Sequence, residues 1–145
     1  MSISRSEIFK LAALALVITL LQTSLLSSFE ALAINLPVVA IFISSALLPA
    51  ASNLIFATSL AIIVSLMTYG DTIFWTYPLL ALIASKINPE QVRSKFLVAI
   101  VFSIMFTPVF EFIYAGNMAN ITTASITNLV SSIILFWSLK PFFKQ

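Results

Sequence analysis

The sequence predicts an all-α, polytopic membrane protein: a bundle of six transmembrane helices with the N- and C-termini in the cytoplasm. Hydrophobic residues make up 61% of the 145 residues and charged residues only 8%, whereas soluble domains carry about 25% charged residues. The charges are widely spaced, with none in the ranges 11–29, 31–70 and 112–139. With six spans, all seven Lys and Arg residues fall on one side of the membrane, which the positive-inside rule identifies as the cytoplasm.

The six apolar segments are expected to form one integral membrane domain that covers residues 1–145. An apolar helix of about 20 residues, at about 1.5 Å per residue, crosses a bilayer core of about 30 Å. In chain order, the predicted spans are about 11–28, 35–49, 53–69, 73–87, 89–114 and 123–139.

The first span follows a helix-start signal. Ser4 and Glu7 have the spacing of a capping box, in which each side chain satisfies a backbone N–H near the other residue. Ala31 and Ala33, on either side of Leu32, resemble the small-x-small pattern of a signal-peptide cleavage site. The apolar run at 11–29 is longer than a usual signal-peptide core, however. We therefore interpret it as a span.

The uncharged range 31–70 is too long for one helix and must contain a turn. The turn is predicted at 48–53, because Pro49 lacks the N–H that a helix interior needs. Ser52 or Asn53 is expected to cap the helix that follows.

The fourth span is the shortest, since only about 21 Å of helix separates Asp71 from Lys86. Pro78 lies inside it and deprives the Phe74 carbonyl of its helical donor, so this helix is expected to be kinked or displaced from the bilayer centre. The fifth span is predicted to begin at 88–91, where an asparagine cap precedes a proline and a glutamate.

Residue types exclude most catalytic chemistry. The chain has no histidine and no cysteine, a single aspartate and two glycines. A serine–histidine protease, a two-aspartate protease, the common zinc sites and a glycine-rich phosphate loop are therefore excluded. We predict that the protein is not an enzyme and binds no metal or cofactor. The formal charge of +2 reflects membrane orientation and does not indicate nucleic acid.

Three polar residues form a candidate intramembrane cluster: Gln22 in span 1, Glu111 in span 5 and Asn128 in span 6. Intramembrane acids often mark proton or cation sites, but we favour a glutamate that reaches water at the outer surface beside Tyr114. Its carboxyl is expected to face the bundle interior or a watery groove, near Asn128 or Thr107. The two amides can line a small polar pocket or simply join helices by hydrogen bonds.

Small residues recur every four positions on two spans, which permits close helix approach. These packing stripes comprise Ala57, Ala61 and Ser65 in span 3, and Ala124, Asn128 and Ser132 in span 6. Aromatic residues cluster near the two membrane surfaces, as interfacial belts do. The belt residues are Phe74, Trp75 and Tyr77 at one surface, and Trp137, Phe142 and Phe143 at the other.

Several short segments resemble the MreD family of rod shape-determining proteins. They are Leu20-Leu21-Gln22-Thr23-Ser24-Leu25, Asn35-Leu36-Pro37, the turn glycine Gly70, and Ile126-Thr127-Asn128-Leu129 before a basic end. Length, helix number and cytoplasmic termini are also similar over nearly the whole chain.

The resemblance implies a non-enzymatic, multi-pass subunit of the cell-elongation machinery, which builds peptidoglycan at the bacterial inner membrane. It implies as partners an MreC-like scaffold and, through it, a synthase pair like RodA and penicillin-binding protein 2 (PBP2), besides the lipid bilayer and possible homo-oligomers. The family fold is similar to the substrate-binding S components of energy-coupling-factor vitamin transporters, so a small-molecule binding or transport subunit is an alternative. An accessory subunit of a respiratory or photosynthetic complex is another.

Overall fold

A computed structural model describes residues 3–28, 35–68, 71–87, 94–115 and 121–143. Within these ranges the chain forms six α-helices and no strand, which confirms the all-α prediction. The helices are α1 (Arg5–Ser28), α2 (Leu36–Leu47), α3 (Ala50–Thr68), α4 (Asp71–Ile87), α5 (Lys95–Ala115) and α6 (Ile121–Phe143). Some side chains inside the helices, Glu111 among them, lie outside the described part of the structure.

Helix α2 is the centre of the bundle. It packs against all five other helices, and its ten residues from Leu36 to Ser45 are all buried. On one side of it α3 packs between α1 and α4, and on the other side α5 packs against α6. The helices therefore form three layers, with α2 as the middle one. A helix that is apolar on every face is typical of such an enclosed position.

The N-terminal end of α2 is closed by side chains. Asn35 caps the helix, because its Oδ1 accepts a hydrogen bond from the Val38 amide. The Leu36 amide donates to Gln22 Oε1 of α1 at 2.7 Å, and Pro37 has no amide hydrogen to satisfy. Each N–H of this first turn is therefore paired within the protein.

Two side-chain contacts and one shared cleft show which helix ends lie on the same side of the bundle. Ser52 Oγ donates to Glu7 Oε1 at 3.0 Å, which joins the start of α1 to the start of α3. The α2–α3 turn and Lys95 line a common cleft. The rings of Phe96 and Phe136 lie 4.0 Å apart, centroid to centroid, which joins the start of α5 to the last turns of α6.

Helix α4 ends on the side of the bundle where α1, α3 and α5 begin. Only two residues separate α4 from α3, and the two helices pack side by side, so they run in opposite directions. We call this side the basic end. It carries the five described basic residues, Arg5, Lys10, Lys86, Lys95 and Lys140.

The outer helices expose large apolar side chains, whereas α2 exposes none of its described ones. Examples of these exposed side chains are Leu16 and Leu20 on α1, Leu66 and Met67 on α3, Leu79 and Leu82 on α4, Val101 and Met105 on α5, and Ile133 and Ile134 on α6. An apolar exterior of this extent indicates a surface that is not in contact with water.

Three stretches are long and apolar enough to cross a membrane: Arg5–Ser24, Ala50–Met67 and Ser125–Phe143. The other three helices carry shorter apolar stretches, Leu36–Leu47, Phe74–Ile87 and Lys95–Phe106. Together with the exposed apolar faces, these stretches indicate a membrane protein.

The turn between α2 and α3 differs from its prediction. The structure begins α3 at Ala50, and the Asn53 amide donates to the Pro49 carbonyl at 3.0 Å. Pro49 therefore occupies the cap position, and Ser52 and Asn53 lie in the first turn. The prediction that one of them caps the helix is wrong. The physical reason is Pro49, which forces the preceding Leu48 into an extended conformation and so ends α2 directly before the new helix.

The prolines inside helices do not end them. Helix α4 is 17 residues long and continues through Pro78, although Pro78 has no N–H to donate to the Phe74 carbonyl. Helix α6 continues through Pro141 to Phe143, beyond the predicted end at 139. The predicted start of the fifth helix at 88–91 lies outside the described residues; within them, α5 begins after Ser94, whose carbonyl accepts from the Val98 amide.

Most predicted belt aromatics with described side chains are exposed, including Trp75 and Trp137. Tyr77 is an exception, because it is only 3% exposed. It lies on the face of α4 that is turned toward the bundle, so its prediction as a belt residue is wrong.

Candidate functional site

The predicted polar cluster divides into two separate environments. Gln22 is half-buried at the N-terminal end of α2, where its Oε1 accepts the Leu36 amide. Asn128 is completely buried on α6, and neither its Oδ1 nor its Nδ2 has a hydrogen-bond partner among the described residues. No hydrogen bond therefore joins the two amides.

Asn128 is the most unusual side chain of the described interior. A buried amide without partners costs about 1–3 kcal/mol for each unsatisfied polar group, and native proteins contain few of them. Such groups often coincide with binding or switching sites, where stability is sacrificed for function. Asn128 is therefore the strongest candidate functional residue that the structure describes.

Two serines link α5 to α6 near the Asn128 backbone. Ser132 Oγ donates to the Asn128 carbonyl at 2.7 Å. Ser103 Oγ of α5 and Ser132 Oγ form a 2.9 Å hydrogen bond in which either hydroxyl can be the donor. Neither of these two bonds involves the Asn128 side chain.

Glu111 lies on α5, eight residues after Ser103 and hence about two helical turns further from the basic end. Its side chain and that of Thr107 lie outside the described part of the structure. The predicted contact between Glu111 and Asn128 or Thr107 therefore stays a prediction.

The packing stripes lie mostly inside the bundle. Ala57 and Ala61 are fully buried on α3, and Ser132 is fully buried on α6. Ser65 is half-buried, and its hydroxyl oxygen has no partner among the described residues. The Ala124 side chain lies outside the described part.

A second buried polar group was not predicted as a unit. At the basic end, Ser44 Oγ of α2 donates to Asn53 Oδ1 of α3, and the neighbouring Ser52 binds Glu7 of α1. These bonds tie three helices together across the α2–α3 turn. The only signal in the sequence is the concentration of Ser and Asn around Pro49, which resembles an ordinary turn.

The basic end also contains an open cleft of about 250 Å³, lined by residues 46–49 and by Lys95. The last turn of α2 has no basic residue of its own. Lys95 places a positive charge next to the negative end of the α2 dipole, which is a favourable arrangement.

Within the described residues, no group of three or more His, Cys, Asp or Glu side chains is placed to hold a metal ion. The described polar groups can donate and accept hydrogen bonds.

Replacing Asn128 with leucine is expected to stabilise the protein by about 1 kcal/mol, because it removes an unpaired amide without breaking a described side-chain hydrogen bond. The matched control is Asn53→Leu, which makes the same change at an equally buried site but breaks the bond from Ser44. Asn53 Nδ2 is also without a described partner, and Ser44 Oγ keeps the Ile41 carbonyl as an acceptor, so this variant is expected to be about 1 kcal/mol less stable than Asn128→Leu. The unfolding midpoint in SDS titrations measures both, and equal shifts would show that Asn128 is paired in the membrane.

Comparisons with family models, with curated proteins and with solved structures find no match to this chain.

Proposed function

We propose that this chain is a multi-pass protein of the bacterial inner membrane, in which all six helices insert and the basic end faces the cytoplasm. The apolar outer faces of five helices and the clustering of the described basic residues at one end support this proposal. The 12-residue α2 is only about 18 Å long. This helix does not have to cross the whole hydrocarbon core, because it is enclosed by protein and its first amides are capped by side chains of the protein.

Within that membrane, we infer a non-enzymatic subunit that acts through helix–helix and protein–protein contacts. The resemblance to the MreD family favours the cell-elongation machinery, with an MreC-like scaffold and a RodA- and PBP2-like synthase as partners. The observation that carries the inference is the arrangement around α2. The middle of the bundle is filled by the side chains of one enclosed helix, and the apolar outer faces remain available for neighbouring proteins.

Co-purification in a mild detergent tests this function. A tagged form of the chain, expressed at its native level, is expected to enrich a periplasmic scaffold protein and peptidoglycan synthases in mass spectrometry. The control is an unrelated tagged inner-membrane protein of similar size. Enrichment of a transporter ATPase or of respiratory subunits would contradict the cell-elongation role, as would the absence of any enrichment over the control.

A small-molecule binding or transport subunit is the second candidate, and the unpaired buried amide of Asn128 is the observation that favours it. The Glu111→Gln and Asn128→Leu variants separate the two functions. A subunit that works by contacts is expected to keep its cell-shape activity in both variants. A transport subunit is expected to lose uptake while its expression stays unchanged, since an intramembrane acid would carry the coupled proton or cation.

A further inference from the structure

The outward face of α4 has an interfacial group at each end. Phe74 and Trp75 are exposed and meet edge to face with ring centroids 5.2 Å apart. Lys86 is exposed in the last turn. Leu79 and Leu82 are the large apolar side chains exposed between them. Trp and Lys both favour the boundary between hydrocarbon and water.

This face is too short for an ordinary bilayer. Trp75 and Lys86 are 11 residues apart, or about 17 Å along the helix axis. Even the whole uncharged stretch between Asp71 and Lys86 covers only about 21 Å. The hydrocarbon core of a typical bilayer is about 30 Å thick.

The helices α1 and α6 do not share this limit. Their uncharged stretches, 11–28 and 121–139, are each about 27 Å long or slightly more. Since α1 packs on α3 and α6 packs on α5, neither lies against α4 as a principal neighbour. The hydrophobic height of the bundle therefore differs around its circumference and is smaller at α4 than at α1 or α6.

We propose that the α4 face contacts a locally thinned bilayer and favours lipids with short acyl chains. This proposal rests on the membrane insertion proposed above. Lipid is the expected occupant because Trp75 is 75% exposed and because interfacial groups stand at both ends of the face. A bilayer compressed to roughly 20 Å brings both groups to the interface, at a cost of fractions of a kcal/mol per Å.

Fluorescence quenching tests the proposal, since the chain has only two tryptophans. The Trp137→Phe variant reports on α4 and the Trp75→Phe variant on α6. Each is reconstituted in phosphatidylcholine vesicles that mix a brominated 18-carbon lipid with an unbrominated lipid of 14 or 22 carbons. The 14-carbon lipid is expected to relieve quenching at Trp75 about twofold more effectively than at Trp137, because short chains fit the α4 face better than the longer α6 face.

Lys86→Leu removes the inner anchor of the α4 face and is expected to abolish the short-chain preference at Trp75. The matched control, Lys140→Leu on α6, is expected to leave it unchanged. Equal chain-length preferences at the two tryptophans would overturn the proposal. Quenching of Trp137 but not of Trp75 would also overturn it and would show that protein covers α4. If neither tryptophan were quenched, membrane insertion itself, and with it the proposed function, would be wrong.

Discussion

Replacing Phe42 with alanine is expected to destabilise the bundle by about 3 kcal/mol. Phe42 is 1% exposed on the central helix, and its ring stacks on that of Phe106 at a centroid distance of 5.5 Å. Truncation of a buried phenylalanine costs about 3–5 kcal/mol in soluble proteins. The lower value applies here because lipid, unlike water, solvates an apolar ring well when the helices separate.

The measurement is the SDS mole fraction at which the purified protein loses its packed state, followed by tryptophan fluorescence. Phe9→Ala is the matched control, since Phe9 is 77% exposed on α1 and its loss leaves the interior intact. The control is expected to shift the midpoint little. Equal effects of the two variants would show that α2 is not the enclosed centre of the bundle.

Replacing Gln22 with leucine is expected to cost about 2 kcal/mol, through a different mechanism. The side chain of Gln22 crosses from α1 to accept the Leu36 amide at 2.7 Å. Leucine has a similar size but no acceptor, so this amide would be left unpaired inside the protein. The neighbouring acceptor, Asn35 Oδ1, already accepts the Val38 amide.

The adjacent Thr23→Val variant is the control for this experiment. Thr23 is exposed, and its hydroxyl binds only its own helix backbone in the described structure, at the Leu20 carbonyl. This variant is expected to be nearly neutral. Hydrogen exchange at the start of α2 gives a local readout, with faster exchange expected in Gln22→Leu alone. Unchanged exchange and stability in that variant would show that water or another group caps α2.

The six helices could be predicted because charged residues, prolines and capping residues mark their boundaries in the sequence. The charge-free intervals set the number of apolar segments, and Pro49 divides the longest one. The start of α1 follows its predicted cap, since the Glu7 amide donates to Ser4 Oγ at 3.1 Å. The second half of that capping box does not form in the described structure. The Glu7 carboxylate instead accepts a bond from Ser52, which is 45 residues away.

The central position of α2 could not be predicted from sequence. A helix that is apolar all round is equally suited to lipid and to a protein interior, and the apolar stretches of α2 and α4 give no sign of which one is enclosed. The same ambiguity explains the error at Tyr77. Its neighbours Phe74 and Trp75 are exposed, but one helical turn carries residues on opposite faces, and sequence alone does not say which face meets the core.

The polar contacts depend on tertiary structure even more strongly. Gln22 and Asn128 both read as intramembrane amides, yet one closes a helix end 14 residues away and the other has no described partner. The sequence marks both residues as amides inside apolar segments. It could not assign their roles, because a role depends on which donors and acceptors the fold brings within about 3 Å.

Labelling of single cysteines tests the central claim, a membrane bundle whose basic end is cytoplasmic. The chain has no native cysteine, so Ser94→Cys, Gly116→Cys and Gln145→Cys each introduce a single target for a membrane-impermeant maleimide in spheroplasts. We expect Gly116→Cys to be labelled while the membrane is intact, and the other two only after permeabilisation. Labelling of Gln145→Cys or Ser94→Cys in intact spheroplasts would contradict the proposed topology.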